Sequence, residues 1–258
     1  MIFLGPGGTS GLGYDEGLKE IHKHGLKALE VEFTYGVRMT NVEAKRVGEL
    51  AKKYGVRLSV HAPYYINLAS EEKKKIHASM KRILDSCERA HHLKASHVVF
   101  HSAFYQKRTP EQVFEMVENA VIEMKEKIKE NKWDVKLAPE TTGKKSQFSG
   151  LDDLLELKKK TKCDICVDFA HLFARDGGVI DYEDVFSKIK KLEHIHSHFS
   201  GIEYTEKGER RHKITEPKVI TPLAKHILKN KVDITVINES PDPVGDSVKM
   251  QKIIEKLR

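Results

Sequence analysis

Residues 194–201 read HIHSHFSG, which sets His194, His196 and His198 at alternate positions of one short segment. On an extended chain, alternate residues face the same side, so these imidazoles would share one face. Further His, Asp and Glu residues close other short apolar runs: His61 in RLSVHA, His101 in HVVFHS, Glu140 in VKLAPE, Asp168 in DICVDF and Glu239 in ITVINE. His171 follows just beyond Asp168. A lone histidine at the end of such a run is more often a packed or hydrogen-bonded residue than a ligand. The set is different, because three carboxylates gathered without counter-charge would repel one another. A divalent cation removes that cost, and imidazole together with carboxylate suits zinc or a similar first-row ion. Glu140 stands mid-series, where one carboxylate could bridge two ions about 3.5–4 Å apart.

What must position these residues is a repeated element. Apolar runs of strand character recur at 2–5, 28–33, 57–62, 97–102, 135–140, 164–169, 194–199 and 234–239. Helical patterns separate them. In PEQVFEMVENAVIEMKEKIKE, the residues Val113, Val117, Val121, Met124 and Ile128 make one apolar stripe, as do Ala44, Val47, Ala51 and Tyr54 in NVEAKRVGELAKKYG. Gly25 and Gly55 fall where helices should stop. Strands alternating with helices over 258 residues predict a single-domain α/β fold spanning 1–258, a closed (β/α)8 TIM barrel. GPGGTSGLG, the one Gly-rich stretch, has no following acidic partner of the dinucleotide-binding kind and is read as the first strand-to-helix loop.

In such a barrel the C-terminal strand ends form the functional face. His198, at its strand terminus, is then the ligand; His196 lies one layer deeper, as a supporting or core residue, and His194 nearer the base. His22, His24, His77, His91, His92, His97 and His226 are read as lying in or beside helices, in surface or packing roles. Cys163 and Cys166 have CxxC spacing but no second pair, so a structural zinc site is not expected and both are read as strand filler; with Cys87 the only other cysteine, no disulfide framework is expected either. The net charge of +7 admits a polyanionic partner without requiring one. No apolar run approaches the ~18 residues of a membrane span, and a soluble, cytoplasmic monomer with no membrane partner is expected.

Six stretches, SVHAPYYINLAS, VVFHSAF, PETTGKKSQFSG, VDFAHLFAR, HFSGIEYTEKGERRH and INESP, resemble in order and spacing the motifs of the endonuclease IV family. Its members are zinc-dependent apurinic/apyrimidinic endonucleases on a xylose-isomerase-like barrel. The resemblance runs through nearly the whole chain. It implies that His61, His101 and Glu140 hold one Zn2+, and that Glu140, shared, with Asp168, His198 and Glu239 holds a second. A third ion, in the family, takes a histidine matching His171 and an Asp-x-His motif. Here His212 supplies that histidine, but Arg210 stands where the Asp should be, and Glu209 is the nearest carboxylate. Two zinc sites are therefore expected complete and the third incomplete, with Mn2+ as an alternative ion. The partner implied is double-stranded DNA with abasic sites, cut 5′ to the lesion by a metal-bridging hydroxide, with Glu140 as the central catalytic ligand. Tyr64 matches a position that enters DNA near the lesion, Tyr35 and Arg38 lie in the loop of an intercalating wedge, and Lys144 and Lys145 are candidate phosphate contacts. Two rivals stand beside this reading: a metal-dependent sugar isomerase or epimerase on the same barrel, and a damaged-DNA binder that does not cut.

Overall fold

The computed structural model describes all residues, 1–258. In chain order the strands are β1 (Ile2–Pro6), β2 (Ala28–Glu32), β3 (Arg57–His61), β4 (His97–Phe100), β5 (Ala103–Phe104), β6 (Lys136–Pro139), β7 (Gln147–Phe148), β8 (Cys166–Asp168), β9 (Ile195–Phe199), β10 (Gly201–Thr205), β11 (Gly208–Lys213) and β12 (Ile234–Asn238). The helices are α1 (Tyr14–Lys23), α2 (Asn41–Tyr54), α3 (Lys73–Leu93), α4 (Pro110–Glu130), α5 (Leu151–Thr161), α6 (Phe169–Arg175), α7 (Tyr182–Ile189), α8 (Pro217–Asn230) and α9 (Pro243–Leu257).

Local signals explain the helix limits. Thr109 accepts from the Gln112 N–H while the Gln112 side chain accepts from the Thr109 N–H, and Pro110 opens α4. Gly55 ends α2 at φ +66°, and Gly25 follows α1 at φ +73°. The expected apolar stripe of α4 is buried, as are Ala44, Val47 and Ala51 of α2.

Parallel pairing runs β2–β3–β4–β6 and β8–β9–β12–β1. Single bridges close the cylinder at its two seams, Gly7 with Glu30 and Glu140 with Cys166. The eight expected strands are therefore the staves of one α/β barrel, in a single domain. Most of the apolar core lies between staves and helices. A small separate contact of Val99, Ala138 and Cys166 comes from residues of opposite parity on β4, β6 and β8.

Two small antiparallel pieces lay outside the sequence reading. β5 pairs with β7, and β10 with β11. Two placements also need correction. His97 is not beside a helix but begins β4, buried, its Nε2 3.1 Å from Asp164 and its ring stacked on His196 at 4.9 Å. Cys163 precedes β8 rather than filling it; all three cysteines are buried and free.

Candidate metal centre

The barrel mouth gathers what the strand ends carry. His61, His101 and Glu140 form one group whose ligand atoms lie within 4.8 Å of one another; Glu140, Asp168, His198 and Glu239 form a second, and His171, Glu209 and His212 a third. Glu140 is fully buried and divides its two oxygens between sides. Its Oε2 lies 3.3 Å from His61 Nε2 and 2.9 Å from His101 Nε2. Its Oε1 lies 3.2 Å from both His198 Nδ1 and His171 Nδ1.

The imidazoles are held in a consistent way. His61 Nδ1–H donates to the Ala62 carbonyl at 2.7 Å, which leaves Nε2 facing Glu140. His171 Nδ1–H donates to the Thr141 carbonyl at 3.0 Å, and its Nε2 faces Glu209 Oε2 at 3.4 Å. His212 Nδ1 meets Ser200 Oγ at 2.6 Å, with Nε2 4.0 Å from Glu239 Oε2. A ring fixed through one nitrogen presents the lone pair of the other, the arrangement a metal ligand needs. Asp168 does two jobs. As N-cap of α6, its Oδ1 accepts from the His171 N–H at 2.8 Å and so sets that histidine one turn into the helix.

The third group depends on a bulge. In the β10–β11 hairpin Glu203 pairs with Arg211 and Tyr204 with Glu209, so the register shifts and Arg210 is the extra residue. Both arginines turn to one face, where Glu203 takes Arg210 at 2.6 Å and Arg211 at 2.7 Å. Glu209 and His212, three apart in sequence, share the other. Regular alternation would have opposed them. Two glycines let the hairpin dock: a Cβ on Gly143 would sit 2.6 Å from Glu209 Cβ, and one on Gly208, at φ +99°, 2.1 Å from the Gly143 carbonyl oxygen.

Electrostatics fit a cation. Burial works against protonating His61, yet Glu140 beside it, with Glu32 and Glu30 near, raises it to about 10. Burial opposes ionising Glu239, but the His198 imidazole outweighs it and holds the carboxyl at about 2. Asp168 is pushed up, by burial first and then by neighbouring Glu140 and Glu239, although His171 opposes. Its Oδ2 and His171 Nε2 are buried without a hydrogen-bond partner. Orphaned acceptors aimed into a carboxylate cluster are what a bound divalent ion would satisfy, so the residues present suit such an ion.

The sequence reading missed Glu30 and Glu32. Both lie on β2 and join Glu239 in a further group. Glu32 is pushed up to about 8 by burial, with Glu30 and Glu239 adding to it against the pull of His61. Their signal was present in ALEVEF, carboxylates at alternate positions of an apolar run, the same pattern as the histidines of β9. Of the DNA-contact candidates, Tyr64 is 54% exposed with its ring 5.7 Å from His61, and Tyr35 is 75% exposed. Arg38 and Lys145 are exposed and Lys144 half-buried, its backbone bridged to Gly208. Tyr65, unremarked in the sequence, is 64% exposed beside Tyr64.

A closed parallel barrel with buried His and carboxylate clusters at one mouth defines a metal-binding α/β barrel. The chain belongs to the xylose isomerase-like TIM barrel family, whose model matches residues 18–258. It is 33% identical to an uncharacterized protein of Methanocaldococcus jannaschii, over 100% of this chain and 98% of that one. It is 26% identical to a probable endonuclease 4 of Mycoplasmopsis synoviae, over 76% of this chain and 75% of that protein. Among solved structures it resembles endonuclease IV from Thermus thermophilus at 19% identity and TM-score 0.69, covering 99% of both chains. It resembles a D-psicose 3-epimerase from Clostridium cellulolyticum about as well, at 13% identity and TM-score 0.68 over 95% and 92% of the two chains. The fold therefore does not choose between the two activities. No helix is long and apolar enough to cross a membrane.

Proposed function

We propose that the chain is a metal-dependent apurinic/apyrimidinic endonuclease, cleaving the phosphodiester 5′ to abasic sites in double-stranded DNA, with zinc or manganese as the ion. The observation that carries this reading is that the ligand groups adjoin. The His61 and His101 pair and the His171, Glu209 and His212 group both adjoin the four-residue set around Glu140, and they meet each other where the His101 and His171 rings lie 5.5 Å apart. An epimerase, with one or two ions, acts at a single carbon of an uncharged ketose, which gives less reason for three adjoining ligand groups. A phosphate diester, with charge on several oxygens, suits cations side by side. The identity to a probable endonuclease 4 supports the same choice.

Ions bound there would activate water near neutral pH and polarise the phosphate oxygens. The chain's own residues do the rest. Glu140 would hold adjacent ions through its two oxygens, and Asp168, His198 and Glu239 would complete the central set. Glu209 would supply the carboxylate that Arg210 cannot, which argues against a binder unable to cut. Exposed Tyr64 and Tyr35 offer aromatic faces to a disrupted duplex, and Arg38, Lys144 and Lys145 offer charge to its backbone.

The test sets cleavage of a duplex containing a tetrahydrofuran abasic analogue against epimerisation of a ketose panel, using protein reloaded with zinc or manganese. Incision 5′ to the analogue, silenced by EDTA or phenanthroline, is expected. Ketose epimerisation without incision would replace this reading with the epimerase one.

A further inference from the structure

His198 faces Glu140 through Nδ1, and its far nitrogen meets a fully buried carboxylate rather than a carbonyl or hydroxyl. That nitrogen, Nε2, lies 2.7 Å from Glu30 Oε1. Glu30 is fully buried on β2, across the barrel from β9. Its other oxygen accepts from Ser59 Oγ at 2.6 Å and from His196 Nε2 at 2.9 Å. Glu30 Oε1 and His198 Nε2 are both buried with no hydrogen bond to any other group, and each faces the other. On its near side, His198 Nδ1 lies 3.2 Å from Glu140 Oε1 and 3.3 Å from Glu239 Oε1.

We propose that Glu30 is the positioning residue for the central metal site: it accepts a hydrogen bond from His198 Nε2–H and so keeps the proton there, so that Nδ1 presents its lone pair between Glu140 and Glu239. A buried carboxylate fixes the tautomer, and by drawing on the N–H it makes the opposite nitrogen a stronger ligand, which a neutral carbonyl does less well. His196 and Ser59 in turn fix Glu30. The alternate imidazoles of β9 thus divide by depth. His194 bonds Asp233 and Thr235 at the barrel base, His196 orients the carboxylate, and His198 meets the ligand set. Glu30 touches no substrate and acts only through His198.

This inference rests on the metal-centre reading, and the experiment separates the two. Wild-type protein and Glu30→Gln are stripped, reloaded with Co2+ and titrated with a competing chelator, following the visible d–d absorption and the ions retained per chain. Wild type is expected to hold cobalt, and Glu30→Gln to release one ion at roughly 10–100-fold lower chelator concentration. The melting temperature of the stripped variant should stay near that of stripped wild type. Equal retention by the two proteins overturns the role of Glu30, whereas a wild type that holds no ion overturns the metal centre itself. A measurement on wild type alone covers a variant that fails to fold. In zinc-loaded protein with 15N-labelled histidine, His198 should carry its proton on Nε2 and the metal on Nδ1; metal on Nε2 would reject the proposal.

Discussion

At the residue scale, the site turns on Glu140. It is buried among four imidazole nitrogens within 3.3 Å, and its two oxygens serve different groups. Glu140→Gln keeps volume and hydrogen-bonding capacity but removes the charge that two ions would share. The expected outcome is a fall of at least about 1,000-fold in incision of abasic duplex, on the scale of losing a central electrostatic group, with fewer ions per chain by elemental analysis. The circular dichroism spectrum should be unchanged. Full activity in this variant would remove Glu140 from the chemistry. The mouth residues were legible because each closes an apolar run with a side chain that such a run has no reason to carry. Glu30 and Glu32 were equally visible in that sense, but a search of strand ends passes over Glu30, which lies two residues inside its strand. Its role follows only from the reach across the barrel to His198, a distance set by tertiary structure.

At the element scale, the staves and most helices could be read from periodicity and caps, because those signals act within a few residues. The β10–β11 hairpin could not. GERRHK offers no alternating pattern, and its register is fixed by docking against Gly143 and by the Glu203 clamp on Arg210 and Arg211. The sequence therefore showed a missing Asp, while the folded hairpin, through one extra residue, turns Glu209 to the same face as His212 and toward His171. The hairpin should therefore tolerate loss of its extra residue. Deleting Arg210 leaves Glu-x-His spacing on a regular hairpin, with both ligands still on one face, so ions per chain should match wild type. Inserting one alanine after Arg210, with the Glu203 clamp and the one-residue bulge retained, leaves three regular steps between Glu209 and His212, which reverses the face of His212 and should cost one ion per chain. Elemental analysis of the two variants after identical dialysis distinguishes them, and loss of an ion on deletion would show that the bulge is not what aligns the pair.

At the scale of the whole molecule, the barrel separates chemistry at its C-terminal mouth from stability at its opposite end. That lower end is itself polar. His97, buried, stacks on His196 and bonds Asp164, which also meets Lys158 at 2.6 Å and Lys136 at 3.3 Å. Burial pushes His97 down to about 4, with His196 and Lys136 pressing the same way and Asp164 opposing. Burial resists ionising Asp164, but His97 and Lys158 outweigh it and hold the carboxyl below the usual range. Above pH 6.5, His97 is neutral in both folded and unfolded chains and its contribution is whole; as pH falls from 6.5 toward 4, the unfolded chain takes up the proton first and stability drops. Asp164 continues that fall below its ordinary carboxyl pKa, where the unfolded chain protonates before the folded one. The histidine alone is worth on the order of 3 kcal/mol across its window. His97→Asn should therefore be less stable than wild type at pH 7, yet lose less between pH 6.5 and 4 in urea titrations. Because His97 lies at the foot of β4 while the candidate ligands crown the barrel, ions per chain and the proposed incision at pH 7.5 should be unaltered. A variant that keeps the wild-type pH slope would place the acid sensitivity elsewhere. One that loses its ions would mean that the two ends of the cylinder are coupled through the His97–His196 stack.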